Sequence, residues 1–137
     1  MSKVLTVGVF DLFHYGHKKL FERAKALAGK DDLIVAVQDE KVIKKYKPQA
    51  KIIYTTAERM EMVEQCRFVD KVIIYDDVNK IVRNVNFDIF VLGPDQNHQG
   101  FQAAIQYCEE NDKQVIVLPR TEGISSSTLR ERLKDLK

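Results

Sequence analysis

Two histidines three residues apart, His14 and His17, enclose Tyr15 and Gly16 in the stretch Gly8-Val9-Phe10-Asp11-Leu12-Phe13-His14-Tyr15-Gly16-His17. An apolar run from Val4 to Phe10 precedes them and reads as a buried strand, and a helical pattern follows at once. A strand that feeds straight into a helix leaves unbonded backbone N–H groups at the helix start, where anions are stabilised. With Gly16 in the first helical turn, both imidazoles face one side and add donors aimed the same way. Two surface histidines at a helix cap are the alternative. A zinc pair is another, but zinc needs a third or fourth ligand. Only His98 and Asp11 offer one, nothing further has ligand spacing, and no protein metal site is assigned.

A second cluster lies near the other end of the chain: Arg120-Thr121-Glu122-Gly123-Ile124-Ser125-Ser126-Ser127-Thr128. A guanidinium, a glycine and four hydroxyls at a helix start form a second anion cradle. An N-cap with surplus serines is the alternative. Two familiar phosphate motifs are absent, since there is neither Gly-x-Gly-x-x-Gly after the first strand nor Gly-x-x-x-x-Gly-Lys-Ser/Thr. The serines do not sit in a Gly-x-Ser-x-Gly elbow, which argues against a serine nucleophile. Taken together on one sheet edge, the two cradles suit the phosphates of a nucleotide. Lys41, Lys44, Lys45, Lys47 and Lys51 crowd the segment 39–53 at the rim of that edge. They are either a solvated face or the source of one or two phosphate contacts. Arg59, Arg67 and Asp70 fall on and just after the next helix, where an Arg67–Asp70 pair is the structural alternative to ligand binding. Phe13, Tyr15 and Phe101 read as packing rather than base stacking.

The elements that must position these groups alternate. Residues 18–30 carry a helical stripe of Leu20, Phe21, Ala24, Leu27 and Ala28, with Gly29 as its stop. Leu33 to Val37 has the unbroken hydrophobicity of a central parallel strand. Residues 39–53 read as a loop with a short helix at its start. Thr55-Thr56-Ala57-Glu58 is a capping box opening a helix to about Cys66, with Met62, Val63 and Cys66 inward. Strands follow at 71–75, 87–92 and 114–118, and helices at 78–85, 101–111 and 125–136. The expectation is α/β: a single Rossmann-like domain spanning 1–137, with a doubly wound parallel five-stranded sheet in the order 3-2-1-4-5, right-handed crossovers and helices on both faces. In such a sheet ligands bind beyond the carboxyl ends of the strands at the switch point. The segments 11–17, 39–51, 93–98 and 120–127 all lie there.

Composition narrows the classes further. The chain has 137 residues, 45% hydrophobic and 31% charged, with a net charge of +2 that is too small for a nucleic-acid surface. No apolar run approaches the ~18 residues of a membrane span. The start, Met1-Ser2-Lys3-Val4, lacks the apolar region of a signal peptide, so a cytoplasmic location is expected. Cys66 and Cys108 are far apart among helix formers and read as reduced, partly buried thiols.

Gly-x-Phe-Asp-x-x-His-x-Gly-His together with Arg-Thr-Glu-Gly-Ile-Ser resembles the cytidylyltransferase family of the HxGH nucleotidyltransferase superfamily, most closely the small bacterial glycerol-3-phosphate cytidylyltransferases. The resemblance covers nearly the whole chain in order. The His-x-Gly-His element marks the wider superfamily, adenylyltransferases included, and the Arg-Thr-Glu-Gly-Ile-Ser element points to CTP. The resemblance implies transfer of CMP from CTP to a small phosphorylated alcohol, glycerol 3-phosphate foremost, giving CDP-glycerol and pyrophosphate. It implies His14, His17, Arg120 and Lys44 as catalytic residues. It implies that Gly8, Val9, Phe10, Asp11, His14, Gly16, His17, Lys47, Asp95, Arg120, Thr121, Gly123, Ile124, Ser125, Ser126, Ser127 and Thr128 surround the nucleotide. Lys44, Arg59 and Arg67 would meet the acceptor; Gln96 is placed with them on its residue type, an amide suited to an acceptor with more hydrogen-bonding groups, with a plain solvent loop as the alternative. Mg²⁺ is expected to enter with CTP, and a homodimer and a product used for a cell-envelope polymer are further implications, with neither nucleic acid nor membrane as partner.

The sequence also departs from the family. Its Gly-Asp-Asp-Trp-Glu-Gly is here Gly93-Pro94-Asp95-Gln96-Asn97-His98, so two acids, the tryptophan and the last glycine are replaced. The lysine segment is longer. The segment between Tyr75 and Val85 is shorter, and the family's substrate-contacting lysine there has only Lys80 nearby. These changes leave open another phosphorylated polyol, amino alcohol or amide-bearing acceptor, an ATP-dependent adenylyltransferase, and a nucleotide-binding module without catalysis.

Overall fold

The computed structural model describes residues 2–11, 15–46, 49, 52–93, 96 and 99–119. Five strands, β1 (Val4–Gly8), β2 (Leu33–Gln38), β3 (Lys71–Tyr75), β4 (Ile89–Leu92) and β5 (Gln114–Val117), form one sheet. Its order is β3-β2-β1-β4-β5 and every pairing is parallel, as the alternating pattern requires. Five helices connect them: α1 (Tyr15–Ala28), α2 (Glu40–Tyr46), α3 (Thr56–Glu64), α4 (Val78–Asn84) and α5 (Gln99–Glu110). The helix expected over 125–136 lies outside the described residues.

Alternation along each strand divides the core in two. Val4, Leu33, Val35, Val37, Ile89 and Val91 pack against Phe21, Ala24 and Ala28 of α1 and Val63 of α3. Leu5, Val7, Ile34, Ala36, Phe90 and Leu92 pack against Val78 and Val82 of α4 and Phe101, Ala104 and Cys108 of α5. Each fully buried Phe or Leu contributes about 1.5–3 kcal/mol. The central strands β1, β2 and β4 are buried throughout apart from the half-buried Gln38, which explains their unbroken apolar runs. Cys66 and Cys108 are both free thiols.

Several boundaries differ from the sequence pattern for local reasons. The strand β1 ends at Gly8 rather than Phe10, because Phe10 has φ 55°, in the left-handed region. The helix α1 begins at Tyr15, so Gly16 and His17 stand in its first turn, and Gly29 at φ 62° ends it. The capping box at Thr55 forms in full: Glu58 N–H donates to the Thr55 hydroxyl oxygen and Thr55 N–H donates to the Glu58 carboxylate.

The amino edge of the sheet is clasped by Asp70. Its carboxylate accepts from Leu33 N–H at 2.8 Å and from Lys25 Nζ at 2.7 Å. Lys25, not Arg67, is therefore the cation paired with Asp70. Desolvation pushes the Asp70 pKa up, but the hydrogen bonds from Lys25 and Leu33 and the Lys25 charge outweigh it, leaving the value below the usual aspartate range. A depressed folded pKa stabilises the fold above the unfolded-state pKa, and that contribution fades as pH falls through the folded value. Denaturant titrations of Asp70→Asn against the native chain should show their full difference at neutral pH and a shrinking one as pH falls below about 4.

Candidate active site at the carboxyl edge

The chain turns sharply where β1 leaves the sheet. Phe10 adopts its left-handed backbone and folds its ring back over Gly8, so close that a Cβ on Gly8 would stand 2.7 Å from the ring's Cζ. Only glycine leaves that space. The buried Phe10 ring meets the His17 imidazole edge-on at a centroid distance of 5.3 Å and Phe21 at 5.1 Å. Gly8, Phe10 and His17 are thus one packed unit, with His17 half-buried at the N-terminal turn of α1. Tyr15 is 53% exposed with Lys19 Nζ over its ring, so it is not the packing residue that the sequence pattern suggested.

A strained residue persists only where its surroundings hold it. Here Asp11 and Arg59 do so. Asp11, 5% exposed, accepts from Ile53 N–H at 2.9 Å and Tyr54 N–H at 3.0 Å. It ties the end of the lysine segment to the junction. Arg59, on the inner face of α3, is fully buried. Its Nη1 donates to the Val9 carbonyl at 2.7 Å, its Nε to the Tyr54 carbonyl at 3.3 Å and its Nη2 to the Thr56 hydroxyl at 3.1 Å. The Thr56 hydroxyl also accepts from Glu40 N–H at the start of α2. Burial lowers the Arg59 pKa from its usual value, opposed by the charges of Asp11, Glu40 and Asp39.

Arg59, expected from the resemblance to meet the acceptor, is placed here with its side chain donating to two backbone carbonyls and the Thr56 hydroxyl. Arg67 lies away from that cluster. A crossover helix between parallel strands runs back to their amino ends, so the end of α3 lies about 13 Å from its start. Arg67 follows that end, three residues before the Asp70 clasp, with its guanidinium over the Phe68 ring at 4.8 Å. It stands at the edge opposite the junction.

Gln96 joins two strands. Its Nε2 donates to the Val7 carbonyl at 2.7 Å and its Oε1 accepts from Gly93 N–H at 3.0 Å. The amide bridges β1 and the end of β4. Lys44 is exposed in the last turn of α2, and the neighbouring Ile43 anchors that helix in the interior. Lys80 lines a separate hollow of about 330 Å³ with Asp39, Tyr75 and Asp76, at the carboxyl end of β3. His14, Lys47, Asp95, Arg120, Thr121, Gly123, Ile124, Ser125, Ser126, Ser127 and Thr128 lie outside the described residues. The chain enters that last segment from Pro119, whose carbonyl accepts from Arg23 Nη1 of α1 at 3.3 Å.

A parallel sheet of this order, with a helix start beside its switch point, defines a Rossmann-like α/β protein. Residues 5–132 match the model of the cytidylyltransferase-like family, and the chain belongs to that family. It is 39% identical to the glycerol-3-phosphate cytidylyltransferase of Bacillus subtilis (strain 168), over 99% of this chain and 100% of that protein. It is 37% identical to the glycerol-3-phosphate cytidylyltransferase of Staphylococcus aureus (strain NCTC 8325 / PS 47), over the full length of both. Among solved structures, the lipopolysaccharide core biosynthesis protein of Thermoplasma volcanium GSS1 superposes with a TM-score of 0.74 at 25% identity, covering 89% of this chain and 99% of that one.

Gly8→Ala tests the packed unit. The added methyl must displace the Phe10 ring and with it His17. Turnover should fall at least ~10-fold, since misplacement of a reacting group by about 1 Å costs up to 10²-fold. Steady-state kinetics beside a melting curve separate this from general unfolding.

Proposed function

We propose that the chain transfers CMP from CTP to a small phosphorylated alcohol, with glycerol 3-phosphate as the leading acceptor, and releases pyrophosphate. The observation that carries this reading is the full-length similarity to two glycerol-3-phosphate cytidylyltransferases. The junction geometry agrees with it. The amides at the start of α1 and the His17 ring provide donors for phosphate oxygens, and the phosphate oxygen of the acceptor attacks the α-phosphorus in line as pyrophosphate leaves. Positioning and charge stabilisation are sufficient for this chemistry, with no covalent intermediate.

In this proposal His14 and His17 hold the triphosphate and stabilise charge at the α-phosphorus. Arg120 and Thr121 meet the nucleotide, and the hydroxyls of Ser125, Ser126, Ser127 and Thr128 hold its outer phosphates. Lys44 reaches the acceptor phosphate. Mg²⁺ is proposed to arrive on the triphosphate, where it would offset the phosphate charge. A homodimer acting in the cytoplasm completes the proposal. Among the described residues no helix is long and apolar enough to cross a membrane.

Pyrophosphate release should be measured with CTP and with ATP against a panel of phosphorylated polyols and amino alcohols. Turnover with CTP and glycerol 3-phosphate is expected. Preference for ATP makes the protein an adenylyltransferase, and CTP binding without pyrophosphate from any acceptor makes it a binding module. His17→Ala should keep the fold and lower turnover by ~10²–10³, the size of one lost oxyanion donor. Near-native turnover in that variant contradicts the role given to His17.

A further inference from the structure

The two central strands part company before either ends. Pairing of β1 with β2 continues to Gly8, opposite Val37. Pairing of β4 with β5 continues to Leu92, opposite Val117, and Leu118 N–H extends it by donating to the Leu92 carbonyl. Between β1 and β4 the register stops at Thr6 opposite Val91. One more rung of that parallel ladder would bond Gly93 N–H directly to the Val7 carbonyl. Instead the Gln96 amide stands between them, taking the Gly93 N–H on Oε1 at 3.0 Å and giving Nε2 to the Val7 carbonyl at 2.7 Å. At the last paired rung the buried Thr6 hydroxyl donates to the Val91 carbonyl at 2.9 Å.

We propose that Gln96 is a positioning residue for the nucleoside: its side-chain amide, inserted as a rung between the parted ends of β1 and β4, sets the width of the crevice at the switch point. This rests on the cytidylyltransferase reading above. A side-chain amide carries the same donor and acceptor as a backbone peptide, so it satisfies both strands while holding them one amide further apart. That gap is where a doubly wound sheet receives a nucleotide. A helix start is where phosphates are held, so on that reading the nucleoside would extend from α1 across this gap, and Gln96 would act on nucleotide affinity and not on the acceptor.

Two variants test it, with CTP affinity measured by calorimetry between pH 5.5 and 8 and KM measured separately for CTP and for the acceptor. Gln96→Leu leaves Gly93 N–H and the Val7 carbonyl unpaired. CTP affinity should fall about 10-fold, within the range expected for buried polar groups without partners, while the acceptor KM stays as in the native chain. Gln96→Glu keeps the shape but, when ionised, faces the Val7 carbonyl with an acceptor. It should bind CTP as weakly as Gln96→Leu at pH 8 and regain affinity as falling pH protonates the carboxyl and restores a donor. Unchanged CTP affinity in Gln96→Leu, a rise confined to the acceptor KM, or a pH-independent defect in Gln96→Glu overturns the proposal. If the native chain binds no CTP, the cytidylyltransferase reading falls first. The bridge is then judged by hydrogen exchange of the Gly93 amide, which must quicken in Gln96→Leu.

Discussion

The buried guanidinium of Arg59 is the interaction on which the carboxyl edge depends. Three segments distant in sequence meet on it: the backbone after β1 through Val9, the end of the lysine segment through Tyr54, and the starts of α2 and α3 through Thr56. A planar, multiply donating cation can bond to several carbonyls in fixed directions at once, which lysine cannot. Asp11 supplies the complementary half by accepting two backbone N–H groups from the same lysine segment. Strain at Phe10 is tolerable because both neighbours of its peptide units are held in this way. The placement of His17 against the Phe10 ring follows from that tolerance.

This arrangement separates holding from reacting. Arg59, Asp11 and Gln96 use their polar groups inside the protein, while His17 packs on Phe10 in the first turn of α1, whose start lies at the edge where ligands bind in this fold. Charge at such an edge is useful only if it is fixed before the substrate arrives, since preorganised donors need not reorient as negative charge develops. The two core clusters, one on each face of the sheet, supply the rigid base for that fixity.

The order of strands and the passage from β1 into α1 were legible because they depend on short-range signals: unbroken apolar runs, a helical stripe, a capping box. The role of Arg59 was partly legible. It lies four residues before Val63 and seven before Cys66, on the inward stripe of α3, and a lone cation on an apolar stripe marks a buried hydrogen-bonding centre. The expected acceptor contact came from the family resemblance and not from this pattern. The place of Arg67 followed from topology rather than composition, since the far end of a crossover helix must return to the amino edge. Gln96 could not be read at all. Its partners, Val7 and Gly93, are brought within reach only once β1 and β4 have paired and parted.

The central claim, that a phosphate oxygen of the acceptor attacks the α-phosphorus of CTP at this edge, is tested most directly by an isotope. Glycerol 3-phosphate carrying ¹⁸O in its phosphate should be turned over with CTP and the products separated by mass spectrometry. All of the label is expected in CDP-glycerol, with none in pyrophosphate. Label in pyrophosphate, or recovery of the labelled acceptor unchanged, would contradict the account.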